Sequence, residues 1–221
     1  MTWEEYAAAW SRLHGGFDPG AASPVVRGWI RLAYRGGSRL GRWRIGPDAV
    51  TTCGLLLCAL TPAAARLDHG LFLAALLVLL AGCADTLDGA VAVVTGRASR
   101  LGFVYDSVAD RLGEAAWLVA FWVAGAPAWL VVAGGAVSWL HEYVRARAAA
   151  AGMVGLGRVT VGERPTRVSI AISGFLIGAG ADLLHPGWAP TVLVVAAAGW
   201  AALGLIGLAQ LGVAVRRDLS D

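Results

Sequence analysis

The stretch Asp85-Thr-Leu-Asp88-Gly89-Ala-Val-Ala92-Val93, followed after eight residues by Gly102-Phe-Val-Tyr-Asp106-Ser-Val-Ala-Asp110, decides how this chain reads. Four carboxylates sit at the ends of two strongly apolar runs. An Asp near the centre of a membrane helix costs ~2.5–3.5 kcal/mol on insertion scales, so something must offset it. Asp85 and Asp88 are spaced i,i+3 and share one face of a helix; Asp106 and Asp110, at i,i+4, share a face of the next. If the two faces meet, four oxygen ligands converge on a hard divalent cation, Mg²⁺ or Mn²⁺, of the kind whose coordination substrate phosphates complete. Gly89 and Ala92 follow on nearly the face of Asp85, and Gly102 lies one turn before Asp106. Small side chains there let a ligand approach the backbone. The plain structural alternative is four acids solvated at helix ends, which leaves the spacing and the glycines as coincidences.

The rest of the chain supplies the membrane. Of 221 residues, 57% are hydrophobic and 15% charged, too apolar for a soluble domain of this size. Six runs, at about 47–65, 71–94, 103–126, 128–151, 168–184 and 188–215, are each long enough to cross ~30 Å of hydrocarbon. The expected fold is all-α: a polytopic six-transmembrane-helix bundle over residues 46–221, carrying the catalytic site, preceded by cytoplasmic or interfacial amphipathic helices over residues 1–45. Ala126-Pro127 predicts a tight hairpin between the third and fourth runs.

Thr2 to Glu5 reads as a capping box. Trp3, Tyr6, Trp10 and Leu13 then form one helical stripe, suited either to the membrane interface or to packing on the protein itself. Residues 15–23 are a loop rich in Gly, Pro and Ala. After Pro24, arginines at 27, 31 and 35 alternate with Val26, Trp29, Ile30 and Ala33, a basic amphipathic helix suited to anionic head groups. The Glu4-Glu5 N-terminus does not read as a signal peptide. Cys53, Cys58 and Cys83 show no metal spacing and read as free thiols.

All the basic side chains are arginine; there is no lysine. With six spans, Arg27 to Arg44, Arg97, Arg100, Arg145 to Arg167, Arg216 and Arg217 fall on one side, against Arg66, Asp68, His69, Asp182 and His185 on the other. The positive-inside rule then puts both termini and the acidic cluster toward the cytoplasm of the cytoplasmic membrane.

The acidic stretch resembles the CDP-alcohol phosphotransferase signature D-x2-D-G-x2-A-R-x8-G-x3-D-x3-D, with seven of its eight fixed positions present and Val93 in place of the Arg. Pro47-Asp48-Ala-Val-Thr51 is similar to that family's Pro-Asn/Asp-x-x-Thr. The resemblance implies a transferase of phospholipid biosynthesis. It would move a phosphatidyl group from CDP-diacylglycerol to an alcohol acceptor and release CMP, with two Mg²⁺ or Mn²⁺ ions. By the same resemblance Asp85, Asp88 and Asp106 are metal ligands and Asp110 is both ligand and general base. Asp48, Thr51, Gly89, Ala92 and Gly102 line the nucleotide site. Arg97, one turn past Val93 if the helix continues beyond Gly96, is the expected substitute for the missing Arg. A homodimer is implied, and no nucleic-acid partner is expected.

Tyr143-Val-Arg145-Ala-Arg147 and Glu163-Arg164-Pro165-Thr166-Arg167 resemble segments of bacterial phosphatidylinositol-phosphate synthases, where basic residues grip the acceptor's phosphate. Arg145, Arg164 and Arg167 are therefore candidate acceptor contacts, with Glu142. Two departures stand out: Glu142 aligns with a small hydroxyl residue of those enzymes, and the region of Gln210 with a base. An added acid and a lost base weaken a doubly charged phosphate site. The expectation drawn is phosphatidylglycerol as acceptor, a cardiolipin synthase, with phosphatidylglycerophosphate or phosphatidylinositol-phosphate synthesis as alternatives. A divalent-ion transporter or an inactive family member are readings of another class. His141 is a candidate proton shuttle or simply a hydrogen-bonded histidine.

Overall fold

In a computed structural model of the chain, residues 1–13, 18–153 and 160–220 are described, and among them every regular element is a helix. Leu13's side chain and residues 15–17 of the expected loop lie outside the described set. The helices are α1 (Trp3–Leu13), α2 (Pro24–Arg42), α3 (Pro47–Ala64), α4 (Leu71–Thr95), α5 (Arg100–Val123), α6 (Ala128–Ala150), α7 (Arg164–Leu184) and α8 (Ala189–Leu219). Each of the six apolar runs is one helix, α3 to α8. Among the described residues four helices, α3, α4, α7 and α8, are long and apolar enough to cross a membrane. α5 and α6 have the length, 24 and 23 residues, but they carry Asp106, Asp110, Arg111 and Glu114, and Glu142, Arg145 and Arg147.

Local chemistry sets the helix ends. Thr2 and Glu5 form the reciprocal capping box, with Thr2 N donating to Glu5 Oε2 at 2.8 Å and Glu5 N to Thr2 Oγ1 at 3.3 Å. Ser23 caps α2 by accepting from Val26 N, with Pro24 in the first turn. α4 stops at Gly96, whose φ of 66° is left-handed. Gly96 N then reaches Val93 O at 3.3 Å and Arg97 N reaches Ala92 O at 3.0 Å, a Schellman closure. Ser99 caps α5 by accepting from Gly102 N at 2.9 Å. Gly125 (φ 112°) and Pro127 make the tight α5–α6 turn.

The chain divides into two compact units. The first comprises Met1–Leu56 and Leu80–Asp110. Here the apolar stripe of α1 packs on the protein: Tyr6, Ile30, Ala33, Ala90 and Val93 are buried together, with Trp3, Trp10 and Tyr34 against them. Arg31 stacks over Trp3 at 5.2 Å. Burial pushes the Tyr6 phenol up to about 12. Gly37 lets α2 close on α4, since a Cβ there would lie 2.9 Å from the carbonyl carbon of Ala90.

The second unit comprises Leu57–Leu79 and Arg111–Asp221. α8 packs against both α6 and α7. Its core is aromatic: Phe121 meets Phe175 and Trp200 edge-on, at 4.9 and 6.4 Å between ring centroids. Trp200 Nε1 donates to buried Ser138 Oγ at 2.8 Å. Trp200 is thus core, whereas Trp139 and Trp188 are exposed. Among the described residues, Cys53, Cys58 and Cys83 form no disulfide.

Candidate active site

In the first unit α4 and α5 bring three carboxylates together. One oxygen each from Asp85, Asp88 and Asp106 lies within 4.8 Å of the others. Asp110 stands one turn beyond Asp106 on α5, half-buried, and is not one of the three. Asp88 is only 6% exposed. Thr51, buried on α3, donates a 2.6 Å hydrogen bond from Oγ1 to Asp88 Oδ2, which helps to orient that carboxylate. Next to it Thr52 Oγ1 and Tyr105 OH are 2.8 Å apart, a polar link between α3 and α5. Three anionic oxygens at this spacing repel one another, and a hard divalent cation is the chemistry that resolves the repulsion. The residues present therefore fit Mg²⁺ or Mn²⁺.

The small residues have separable reasons. A Cβ on Gly102 would sit 3.0 Å from Ser99 Oγ and 3.4 Å from Asp48 Oδ1, so a side chain there would press on both. A Cβ on Gly89 would meet nothing within 4 Å. Packing does not require Gly89; its bare backbone keeps the space beside Asp85 open. Asp48 is exposed and Ala92 half-buried.

The condition for Arg97 to continue the face of α4, a helix running past Gly96, is not met. α4 ends at Thr95 and the left-handed Gly96 turns the chain away. Arg97 is exposed and instead points back toward the start of α3, its Nη1 3.9 Å from where a Cβ on Gly46 would stand. Val93 is 9% exposed in the cluster with Tyr6 and Ile30, so the position that resembles the family's arginine is used here for packing α1 and α2.

The second unit holds a separate charged network. Arg167, 2% exposed on α7, donates from Nη1 to both oxygens of Glu114 at 3.0 Å. Its Nη2 donates to Glu142 Oε1 at 3.2 Å. Arg111 pairs with Glu114 at 3.0 Å and with Glu142 at 3.4 Å. His141, fully buried, places Nε2 2.9 Å from Thr160 Oγ1 and Nδ1 3.5 Å from Glu142 Oε1; it is a satisfied interior histidine. Thr160 donates from N and Oγ1 to Glu163 Oε1, which also pairs with Arg145. Of the candidate acceptor residues, Glu142, Arg145 and Arg167 belong to this network, and Arg164 stands half-buried at the start of α7. Gln210, where the resemblance expects a base, accepts from Val161 N at 3.0 Å and so holds the turn before α7.

Sequence reasoning did not single out Glu114, Arg111 or Thr160. A lone Glu before the apolar stretch Ala115-Ala-Trp-Leu was the available signal, since a charge there needs a partner. That partner, Arg167, is 53 residues away.

A family model described as CDP-alcohol phosphatidyltransferase matches residues 44–215. The chain belongs to this family. It is an all-helical polytopic membrane protein and an enzyme of phospholipid synthesis. The archaetidylinositol phosphate synthase of Pyrococcus horikoshii is 32% identical over 147 residues, 65% of this chain and 76% of its own length. The crystal structure of Mycobacterium tuberculosis phosphatidylinositol phosphate synthase with CDP-DAG bound superposes with a TM-score of 0.66 at 28% identity, covering 86% of this chain and 96% of that one. The same enzyme in complex with manganese and citrate gives a TM-score of 0.67 at 26% identity, over 83% and 88%. These relatives back the alternative reading, phosphatidylinositol-phosphate synthesis, better than cardiolipin synthesis.

Proposed function

We propose that the protein transfers a phosphatidyl group from CDP-diacylglycerol to a hydroxyl of a phosphorylated polyol, of the inositol phosphate class, with release of CMP. The observation that carries the proposal is the convergence of Asp85, Asp88 and Asp106 with Thr51 behind Asp88. Similarity to an enzyme whose structure holds CDP-DAG supports the donor, and similarity to the manganese complex supports the ion. Asp85, Asp88 and Asp106, joined by Asp110, would hold two Mg²⁺ or Mn²⁺ ions. When bound, such ions neutralise charge developing on the diphosphate and its CMP leaving group.

The protein's own groups do the rest. The open side at Gly89 admits the diphosphate beside Asp85. Asp48, Ala92 and Gly102 flank the nucleotide, and Arg97, beside the start of α3, offers it a guanidinium. Asp110 accepts the proton from the acceptor hydroxyl. The acceptor oxygen then bonds to the phosphorus that carries the lipid, and the bond from that phosphorus to the CMP oxygen breaks. Arg145, Arg164 and Arg167 hold the acceptor's anionic group; planar forked donors suit phosphate.

We read all six helices α3 to α8 as crossing the bilayer, α5 and α6 with their charges turned inward, and α1 and α2 as lying at the cytoplasmic face. Residues 1–45 and 46–221 then divide into an interfacial and a catalytic part, with both termini cytoplasmic and the protein a homodimer. The test is mass spectrometry of the lipid formed when purified protein, Mn²⁺ and CDP-diacylglycerol meet inositol 1-phosphate, glycerol 3-phosphate, phosphatidylglycerol or unphosphorylated inositol. A phosphatidylinositol phosphate product is expected; cardiolipin would return the acceptor to phosphatidylglycerol.

A further inference from the structure

Among the described residues, the guanidinium groups around Arg167 already face carboxylates of the protein itself. Arg111, Arg145 and Arg167 face Glu114, Glu142 and Glu163, three guanidinium groups against three carboxylates. A doubly charged phosphate entering this cluster is repelled by the carboxylates already there, and less so if one of them leaves. The three are not equally held. Glu114 is 1% exposed and receives both Arg167 Nη1 contacts and Arg111 Nη2, each at 3.0 Å. Glu163 has a side chain 17% exposed and is held by Arg145 and by two donors of Thr160. Glu142 is the most exposed, at 28%, and its contacts are the longest: 3.2 Å to Arg167 Nη2, 3.4 Å to Arg111 Nη1 and 3.5 Å to His141 Nδ1.

We infer that Glu142 is an internal stand-in for the acceptor's phosphate. Its carboxylate lies against Arg167 Nη2 and Arg111 Nη1 in the absence of acceptor and swings out when a phosphomonoester takes its place. Glu114 stays in place, so Arg167 remains anchored while its Nη2 changes partner. Glu142 is then a specificity-determining residue. It sets the affinity for a phosphorylated acceptor and, with Glu114, balances the charge of Arg167 and Arg111 while the acceptor is absent. This inference rests on the reading of the network as the acceptor's anion site.

The test compares Glu142→Ser and Glu142→Gln with wild type in the full-length, detergent-purified chain. Inositol 1-phosphate and unphosphorylated inositol are the two probes, read by KM in CMP release and by Kd in calorimetry. Loss of the competing carboxylate at this distance is expected to shift the preference for the phosphorylated probe upward on the order of tenfold in both variants. Glutamine keeps the volume and supplies a fold control for serine. An unchanged or reduced preference, or an equal change for both probes, overturns the inference. The calorimetric arm separates it from the proposed function. Absence of CMP release with every acceptor would defeat the proposed reaction, while a tighter Kd for inositol 1-phosphate in the variants would still support the role of Glu142.

Discussion

Thr51 Oγ1 donates to Asp88 Oδ2 across 2.6 Å, between two side chains buried on α3 and α4. The threonine of the Pro47-Asp48-Ala-Val-Thr51 stretch thus touches an acid of the cluster, not only the space expected for a nucleotide. Thr51→Val keeps the shape and removes the donor. Metal affinity is expected to fall ~10–100-fold, the usual cost of losing a partner behind a ligand. Thr51→Ser should restore most of it. Titration of Mn²⁺ by electron paramagnetic resonance measures both; equal affinity in wild type and Thr51→Val would remove this role.

Asp110 stands apart from the three converging oxygens, one turn along α5. Asp110→Asn is expected to bind CDP-diacylglycerol and Mn²⁺ nearly as wild type does and to lose ~10²–10⁴-fold in turnover, the range for a removed general base. Asp88→Asn should lose metal binding first. Parallel binding and CMP-release assays separate the two, and full activity in Asp110→Asn would assign the base elsewhere.

Val93 is packed among Tyr6, Ile30, Ala33 and Ala90. Val93→Arg completes the signature in sequence but places a cation in an apolar cluster. The expectation is lower stability by about 1–3 kcal/mol from overpacking, more if the charge stays buried, and no gain in donor affinity. Thermal unfolding in detergent and a CDP-diacylglycerol binding isotherm check this. A tighter donor Kd with unchanged Tm would show that the position can still serve the nucleotide.

Tyr6, outside the spanning segments, has its phenol pushed up to about 12 by burial, against an ordinary value near 10. The folded protein therefore holds this proton where the unfolded chain releases it. Stability from Tyr6 is complete below about pH 10 and is lost as pH rises from there to about 12. Tyr6→Phe should flatten that alkaline fall in Tm. An identical alkaline slope in both proteins would contradict it.

The legibility of this chain follows from where its signals are local. Hydrophobic run length gave α3 to α8, and i,i+3 and i,i+4 spacing gave the shared faces of Asp85 with Asp88 and of Asp106 with Asp110. The Thr2–Glu5 box and the Ala126-Pro127 turn were readable for the same reason. Where the outcome depended on pairing across the chain, the residues alone were silent. Nothing near Glu114 announces Arg167, and nothing in Trp3-x-x-Tyr6 tells a bilayer surface from the cleft formed with Ile30 and Val93. The placement of Arg97 depended on whether the helix continues past Gly96, and a glycine in a helical pattern does not announce the left-handed stop that Gly96 adopts.

The most direct test of the central claim is release of CMP from CDP-diacylglycerol by purified protein, followed with and without Mn²⁺ and with and without inositol 1-phosphate. The account predicts stoichiometric CMP and phosphatidylinositol phosphate that require both additions and disappear in Asp88→Asn. No CMP with any acceptor, together with Mn²⁺ flux through the protein in sealed vesicles, would contradict it and make the acidic cluster an ion pathway.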